Sequence, residues 1–184
     1  MIRALGYETG SGIVVGIPGQ TWATLAEDLE WFRRLDLDMV GVGPYVPHPE
    51  TPAGRIMFRH LGGLPTDQVP DDEPATYKAL ALARLVCPRA GIPSATSPAA
   101  ISTEQGRELG LRRGANVLLL NLTPEKYRLN FEPYPAKAGA DEIASDRHEQ
   151  VTRLLAGLRR PVGSGPGLSP NYLARGAEGA RREE

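Results

Sequence analysis

The chain has 184 residues, of which 41% are hydrophobic, and its formal net charge at pH 7 is −1. This length suits one globular domain with its own core, and the near-zero charge excludes the broad basic surface of a nucleic-acid or anionic-membrane binder. No apolar run approaches the roughly 20 residues that a membrane span needs, no signal peptide is recognised, and the single cysteine excludes an intrachain disulfide. A cytoplasmic location is therefore expected.

Two glycine-bearing apolar runs predict buried parallel strands, at about Thr9–Gly16 and Met39–Tyr45. Between them, Thr21 caps an amphipathic helix whose buried face is formed by Trp22, Leu25, Leu29 and Phe32.

Side chains alternate along a strand, so Gly12, Val14 and Gly16 share one face, and Gly41 and Gly43 share one face of the next strand. Glycine in a strand often marks the close approach of a ligand or of another backbone. The paired strands therefore suggest a flat ligand that lies across their ends.

Strands and helices also alternate along the rest of the chain. The predicted elements are a loop over Thr51–Pro70, a helix over Glu73–Cys87 and a strand over Ile92–Thr96. A helix that starts at the capping box Ser102-Thr103-Glu104-Gln105 and ends at Gly114 follows. The last elements are a strand over Ala115–Leu120, a short helix opened by Thr123-Pro124 and a helix over Ser145–Leu158. From Pro161 onward the sequence lacks periodicity and predicts a disordered tail.

This β/α order predicts an α/β fold with parallel strands. Four β/α units are half of a (β/α)8 barrel of the TIM type, and a small open α/β sheet is the competing layout. The expected division is a partial barrel over residues 1–137, a C-terminal helical segment over 138–160 and the disordered tail over 161–184.

Several stretches closely resemble the C-terminal half of the HydE-type radical S-adenosylmethionine (SAM) enzymes, which are maturases of [FeFe]-hydrogenase. They are Leu5-Gly6-Tyr7-Glu8-Thr9-Gly10, Val15-Gly16-Ile17-Pro18-Gly19-Gln20-Thr21, Asp38-Met39-Val40-Gly41-Val42-Gly43-Pro44, Pro47-His48-Pro49-Glu50-Thr51-Pro52, Gly114-Ala115-Asn116-Val117 and Asn121-Leu122-Thr123-Pro124. The Gly-Pro-aromatic-x-Pro-His-Pro stretch is the most specific. The glycine pattern is shared more widely, for example with biotin synthase and methylornithine synthase.

The resemblance implies that the four strands are strands five to eight of a radical SAM barrel and that the first supports the adenine of SAM. The expected SAM-binding residues are Gly12, Val14, Gly16, Pro44, Tyr45 and Pro47. The expected lining of the substrate cavity is Thr96, Ser97, Asn121, Thr123 and Tyr134. For each of these residues, packing, turn formation or helix capping is the alternative role.

In this family a [4Fe–4S] cluster is held by three cysteines in a C-x3-C-x2-C motif. Because iron–sulfur clusters need thiolate ligands, Cys87 alone cannot hold one, and no cluster is expected in this chain alone. Cys87 is interpreted as a small buried or half-buried thiol. His48 and Glu50 are possible metal ligands, but two candidates without a third favour a loop-shaping role, and no metal site is predicted.

The resemblance thus predicts that this chain is part of a HydE-like radical SAM enzyme and is inactive by itself. The complete enzymes of the family act on an organometallic iron–cysteine substrate. The expected partners of this chain are a missing N-terminal half-barrel or other hydrogenase maturases. The alternatives are a non-catalytic truncated remnant or gene fragment, whose open strand edges would make it unstable or oligomeric, and a biotin synthase-like or methylornithine synthase-like radical SAM protein.

Overall fold

A computed structural model describes residues 2–59, 65–94, 104–120, 124–128 and 144–180. Within these ranges the helices and strands follow in the order β1 (Gly10–Val15), α1 (Trp22–Leu35), β2 (Met39–Pro44), α2 (Pro52–Arg59), α3 (Glu73–Val86), α4 (Glu104–Arg112), α5 (Glu125–Arg128), α6 (Ala144–Gly157) and α7 (Pro170–Ala180), after a short 3-10 helix at Arg3–Leu5. None of the described helices has the length and apolar character needed to cross a membrane.

The centre of the fold is the parallel pair β1 and β2. Their register places Gly12 opposite Gly41 and Val14 opposite Gly43, so glycines from both strands meet on one face of the sheet. The predicted strands are confirmed to within two residues at each end.

The other face of this sheet is covered by helices and forms the core. Val15, Val40 and Val42 are buried there and belong to the same apolar cluster as residues of α1 and α3. The buried members from these helices are Leu25, Leu29, Phe32, Ala75, Ala79, Leu80 and Ala83.

The start of α1 confirms one prediction and corrects another. The Thr21 hydroxyl accepts a hydrogen bond from the Thr24 backbone N–H at 3.2 Å, as expected of a helix cap. Trp22, expected in the buried face, is instead 38% exposed. Its ring lies beneath the ammonium group of Lys78, 5.0 Å from the nitrogen, which suits an aromatic at the surface.

Two further extended segments continue the sheet in chain order. Residue Gly91 forms a parallel bridge with Met39, and Pro93 forms one with Val117. Among the described residues, the predicted third and fourth strands are present as single bridges rather than as ladders, and the last two residues of the third, 95 and 96, lie outside the described ranges. Proline accounts in part for the missing ladder, because Pro93 has no N–H to donate to a neighbouring strand. The four segments lie side by side in one parallel order, which confirms the α/β class; a closed barrel is not formed by the described residues.

The predicted loop over Thr51–Pro70 is wrong in its first part, where α2 forms. The Thr51 hydroxyl accepts the Gly54 N–H at 3.0 Å, and Pro52 occupies the first helical position. Proline is favoured at this position because its missing N–H would have no helical partner.

The tail predicted to be disordered is also wrong in part, because α7 forms over Pro170–Ala180. The Ser169 hydroxyl accepts the Tyr172 N–H at 3.0 Å, and Ser169 and Asn171 are both buried. Among the described residues, polar contacts with Gly6 and Glu8 and with Asp36 and Asp38 hold this helix. Residues 159–167, which connect α6 to it, are exposed throughout.

Arg84 on α3 ties the last helical turn to the two outer segments. Its guanidinium donates to the carbonyls of Gly114 at 2.7 Å and Ala90 at 2.9 Å, and to the Asn116 side-chain oxygen at 2.8 Å. That oxygen also accepts the Ile92 N–H at 2.7 Å. Burial lowers the pKa of Arg84 from its ordinary value, yet an arginine stays protonated in proteins.

We expect Arg84→Met to lower the free energy of unfolding by roughly 2 kcal/mol or more, because several partly buried carbonyls lose a charged donor. Arg112→Met is the matched control, since the described partner of Arg112 is Glu108 on an exposed helix face, and we expect a change of about 0.5 kcal/mol or less. Urea unfolding followed by circular dichroism measures both. Equal losses in the two variants would contradict the role given to Arg84.

Candidate ligand surface at the ends of the first two strands

The glycine-bearing face of the sheet is open. Val14 and Met39, which project from this face, are 48% and 43% exposed, while the opposite face is covered by α1 and α3. The face that sequence periodicity assigns to Gly12 and Val14 is therefore available to a ligand or to another part of a larger protein.

Gly12 keeps this surface flat. A Cβ atom added at Gly12 would lie 2.9 Å from the carbonyl oxygen of Gly41, which is closer than ordinary van der Waals contact. Even an alanine would need the neighbouring strand to shift. The result is a patch of bare backbone bordered by Val14, and such a patch is suited to stacking against a planar group.

The turn after β1 requires a glycine at position 16, whether or not a ligand binds there. Its φ angle is +88°, and an added Cβ would meet the backbone nitrogen of Asp71 at 2.6 Å. Glycine is needed here for the turn and for this close approach, so the packing alternative for Gly16 has direct support. Whether Gly16 also contacts a ligand stays a prediction.

Gln20 fixes the turn that ends β1. This side chain is buried; its carbonyl oxygen accepts the Gly16 N–H at 2.7 Å, and its amide nitrogen donates to the Val14 carbonyl at 3.2 Å. This role of Gln20 was not predicted from the sequence. The available signal was a polar residue between the turn Gly16-Ile17-Pro18-Gly19 and the helix cap Thr21.

Tyr45 directly follows β2 and has a buried hydroxyl. Its backbone N–H continues the strand pairing by donating to the Val15 carbonyl at 2.7 Å. The phenolic oxygen is buried and finds no hydrogen-bond partner in the part of the chain that the structure describes. A buried hydroxyl without a partner carries a desolvation cost. Pro44 and Pro47 flank it and are both half-buried.

His48 shapes the following loop. Its Nδ1 atom accepts the Glu50 N–H at 3.2 Å, and its carbonyl accepts the Thr51 hydroxyl at 2.9 Å. These bonds support the loop-shaping interpretation of His48. Across the described ranges, no group of three or more His, Cys, Asp or Glu side chains is arranged to hold a metal ion.

Cys87 is buried at the end of α3, with a side chain that is 7% exposed, as predicted. Burial is the main cause that raises the pKa of this thiol above its ordinary value. The raised pKa keeps the thiol protonated at neutral pH, whereas metal clusters are held by thiolates.

The five residues predicted to line a substrate cavity lie outside the described ranges. They are Thr96, Ser97, Asn121, Thr123 and Tyr134. The structure does describe the segments that lead to four of them, because residues 91–94 and 115–120 run parallel to β2. The first three predicted SAM-binding residues, Gly12, Val14 and Gly16, lie on β1 or at its end, and Pro44, Tyr45 and Pro47 lie at the end of β2 or just after it.

One curated relative matches much of the chain. It is the [FeFe] hydrogenase maturase subunit HydE of Thermotoga maritima, 41% identical over 136 residues, which is 74% of this chain. The match covers 35% of the relative, so the chain spans about a third of its length. No protein-family model matches the chain. The HydE-like character indicated by the sequence motifs is thereby confirmed.

Two glycines with the same backbone conformation provide a test of the turn. Gly16 and Gly19 have φ angles of +88° and +87°, but a Cβ at Gly19 would meet nothing within 4 Å. We expect Gly19→Ala to lower the free energy of unfolding by about 1–2 kcal/mol, the cost of a left-handed alanine, and Gly16→Ala to cost clearly more because of Asp71. Urea unfolding measures the difference; equal costs would show that the Asp71 contact is unimportant.

Proposed function

We propose that this chain is part of a HydE-like radical SAM maturase, in which it supplies the adenine side of the SAM pocket and part of the substrate cavity. The observation that carries the proposal is the 41% identity to HydE over 136 residues. The same identity favours a HydE-like role over a biotin synthase-like or methylornithine synthase-like one.

The open glycine face suits the adenine of SAM. Gly12 and Gly41 present backbone without side chains, and Val14 supplies an apolar border that is half exposed to solvent. A planar base can stack on such a surface and remove Val14 from water. Pro44 and Pro47 would form a rigid wall beside it, and the buried Tyr45 hydroxyl would gain a hydrogen-bond partner from SAM or from a neighbouring segment.

The residues of this chain do not fit a [4Fe–4S] cluster. Cys87 is the one cysteine of the sequence, it is buried in the helical layer, and its thiol has a raised pKa. Thiolate ligands from another polypeptide segment would therefore be needed for the reductive cleavage of SAM. The role of this chain in such an enzyme would be to bind and orient SAM and to exclude water.

The substrate cavity would lie beside the SAM pocket at the carboxyl ends of the next two segments. Thr96, Ser97, Asn121 and Thr123 follow these segments in sequence, and the carboxyl ends of parallel strands meet at one edge of a sheet. Hydroxyl and amide groups there would hydrogen-bond a polar or organometallic substrate, with Tyr134 near the same cavity.

A half-barrel arrangement follows from the same proposal. The outer edge of β1 and the outer edge of residues 115–118 would pair with the strands of a complementary N-terminal half, and closing the barrel would cover Val14 and Met39. A non-catalytic remnant is the second candidate, because the single cysteine cannot supply the thiolates of a cluster; in a remnant the exposed apolar face would stay uncovered.

Assembly with a cluster-bearing half distinguishes these candidates. We expect this chain, mixed anaerobically with the N-terminal half of a HydE-type enzyme and then supplied with iron, sulfide and a reductant, to form a complex that converts SAM to 5′-deoxyadenosine. Neither half alone should do so, because neither holds both the cluster and the adenine wall. Cluster formation by this chain alone would refute the assignment of the thiolates, and failure to form the complex would favour the remnant.

Val14 is the side chain to change in that complex. We expect Val14→Glu to weaken SAM binding about tenfold or more, since a carboxylate would lose water against the adenine and 1.4 kcal/mol corresponds to tenfold. Leu82→Glu is the control, because Leu82 is 41% exposed on α3, away from the glycine face. Isothermal titration with SAM measures both; equal affinities would remove Val14 from the pocket.

A further inference from the structure

The C-terminal helix α7 contacts the amino ends of both strands, opposite the candidate ligand surface. The Ser169 N–H donates to the Glu8 carboxylate at 2.7 Å, and the Tyr172 hydroxyl donates to the Gly6 carbonyl at 2.9 Å. Both acceptors lie in the segment that leads into β1. These contacts join residues more than 160 positions apart in the chain.

The same helix contacts the segment that leads into β2. The Asn171 side-chain nitrogen donates to the Asp36 carboxylate at 2.8 Å, and one terminal nitrogen of Arg175 lies 2.5 Å from both carboxylate oxygens of Asp38. Arg175 also pairs with Asp36 at 3.2 Å. Helix α7 therefore bridges the two strands at their amino ends.

Asp38 is the centre of this contact. Its side chain is fully buried, one residue before β2 begins, and it also accepts the Thr9 N–H at 2.7 Å. Burial opposes the charge, but the hydrogen bonds from Arg175 and from the Thr9 N–H outweigh it, so the pKa of Asp38 lies below its ordinary value. The carboxylate is thus charged, and a buried charge that loses its cation is strongly destabilising.

Other groups around Asp38 have different partners. Arg3 donates to the carbonyl oxygens of Leu35 and Asp36 and to the Thr9 hydroxyl. Arg175 is the cation that directly contacts Asp38 among the described ion pairs. The link from α6 to α7, residues 159–167, is exposed throughout, so the position of α7 depends on its own contacts.

We propose that residues 168–176 act as a staple that holds β1 to β2 at their amino ends, through Asp38 and Arg175, so that the sheet bearing the candidate ligand surface depends on the C-terminal segment of the chain. This inference rests on the intramolecular contacts alone and does not require the function proposed above. A substitution in α7 is therefore expected to loosen β1, which lies far from α7 in the sequence.

Hydrogen exchange of the full chain, measured by mass spectrometry, tests the staple. We expect Arg175→Met to raise the exchange rates of residues 5–12 and of residues 168–176 together, by about tenfold or more, while α3 stays protected. Arg153→Met is the matched control, because Arg153 and its partner Glu149 are 69% and 73% exposed, and it should leave all three regions unchanged.

Two results would overturn the proposal. One is faster exchange of residues 168–176 with unchanged protection of residues 5–12, because α7 would then detach without loosening β1. The other is an equal rise in all regions including α3, which would assign Arg175 to general stability.

If Arg175→Met does not fold, a double variant tests whether the pair between Asp38 and Arg175 acts as the staple. In D38N/R175M neither partner of the buried pair is charged, and removing both is far less costly than removing one. We expect the double variant to recover helical circular dichroism and protection of residues 5–12 relative to Arg175→Met. No recovery would show that the pair between Asp38 and Arg175 does not act as the staple.

Discussion

The register between β1 and β2 is the constraint on which the rest of the structure depends. It places Gly12 against Gly41 on one face and the buried valines of both strands on the other. A shift by one residue would exchange the two faces, exposing the valines and pressing glycines against the helices. The fixed register therefore determines both where the core lies and where bare backbone is presented.

The carboxyl and amino ends of this two-stranded sheet have different roles. At the carboxyl end, Gln20 holds the turn after β1, and Tyr45, the residue after β2, has a buried hydroxyl. At the amino end, the buried Asp38, which directly precedes β2, pairs with Arg175 of the C-terminal helix, whose side chain is 25% exposed. The proposed ligand surface and the attachment of α7 thus lie at opposite ends of the same two strands.

Much of the fold could be predicted from the sequence. Apolar periodicity and capping residues located β1, α1, β2, α3 and α6, because their burial is encoded within each segment.

Helices α2 and α7 were not predicted, although Thr51-Pro52 and Ser169-Pro170 both have the Ser/Thr-Pro pattern that is typical of a helix start. Both are short, and α7 is held by ionic contacts with residues far away in the chain, which no local pattern reveals. For the site, the glycine face was predictable from alternation, whereas the burial of the Tyr45 hydroxyl depends on three-dimensional surroundings.

The central claim is that the glycine face forms the adenine side of a SAM pocket. Photo-crosslinking of the assembled complex with a SAM analogue that carries an azide on the adenine tests it most directly. The account predicts adducts on residues 12–16 and 44–47; adducts confined to the helical layer, on α1 or α3, would contradict it.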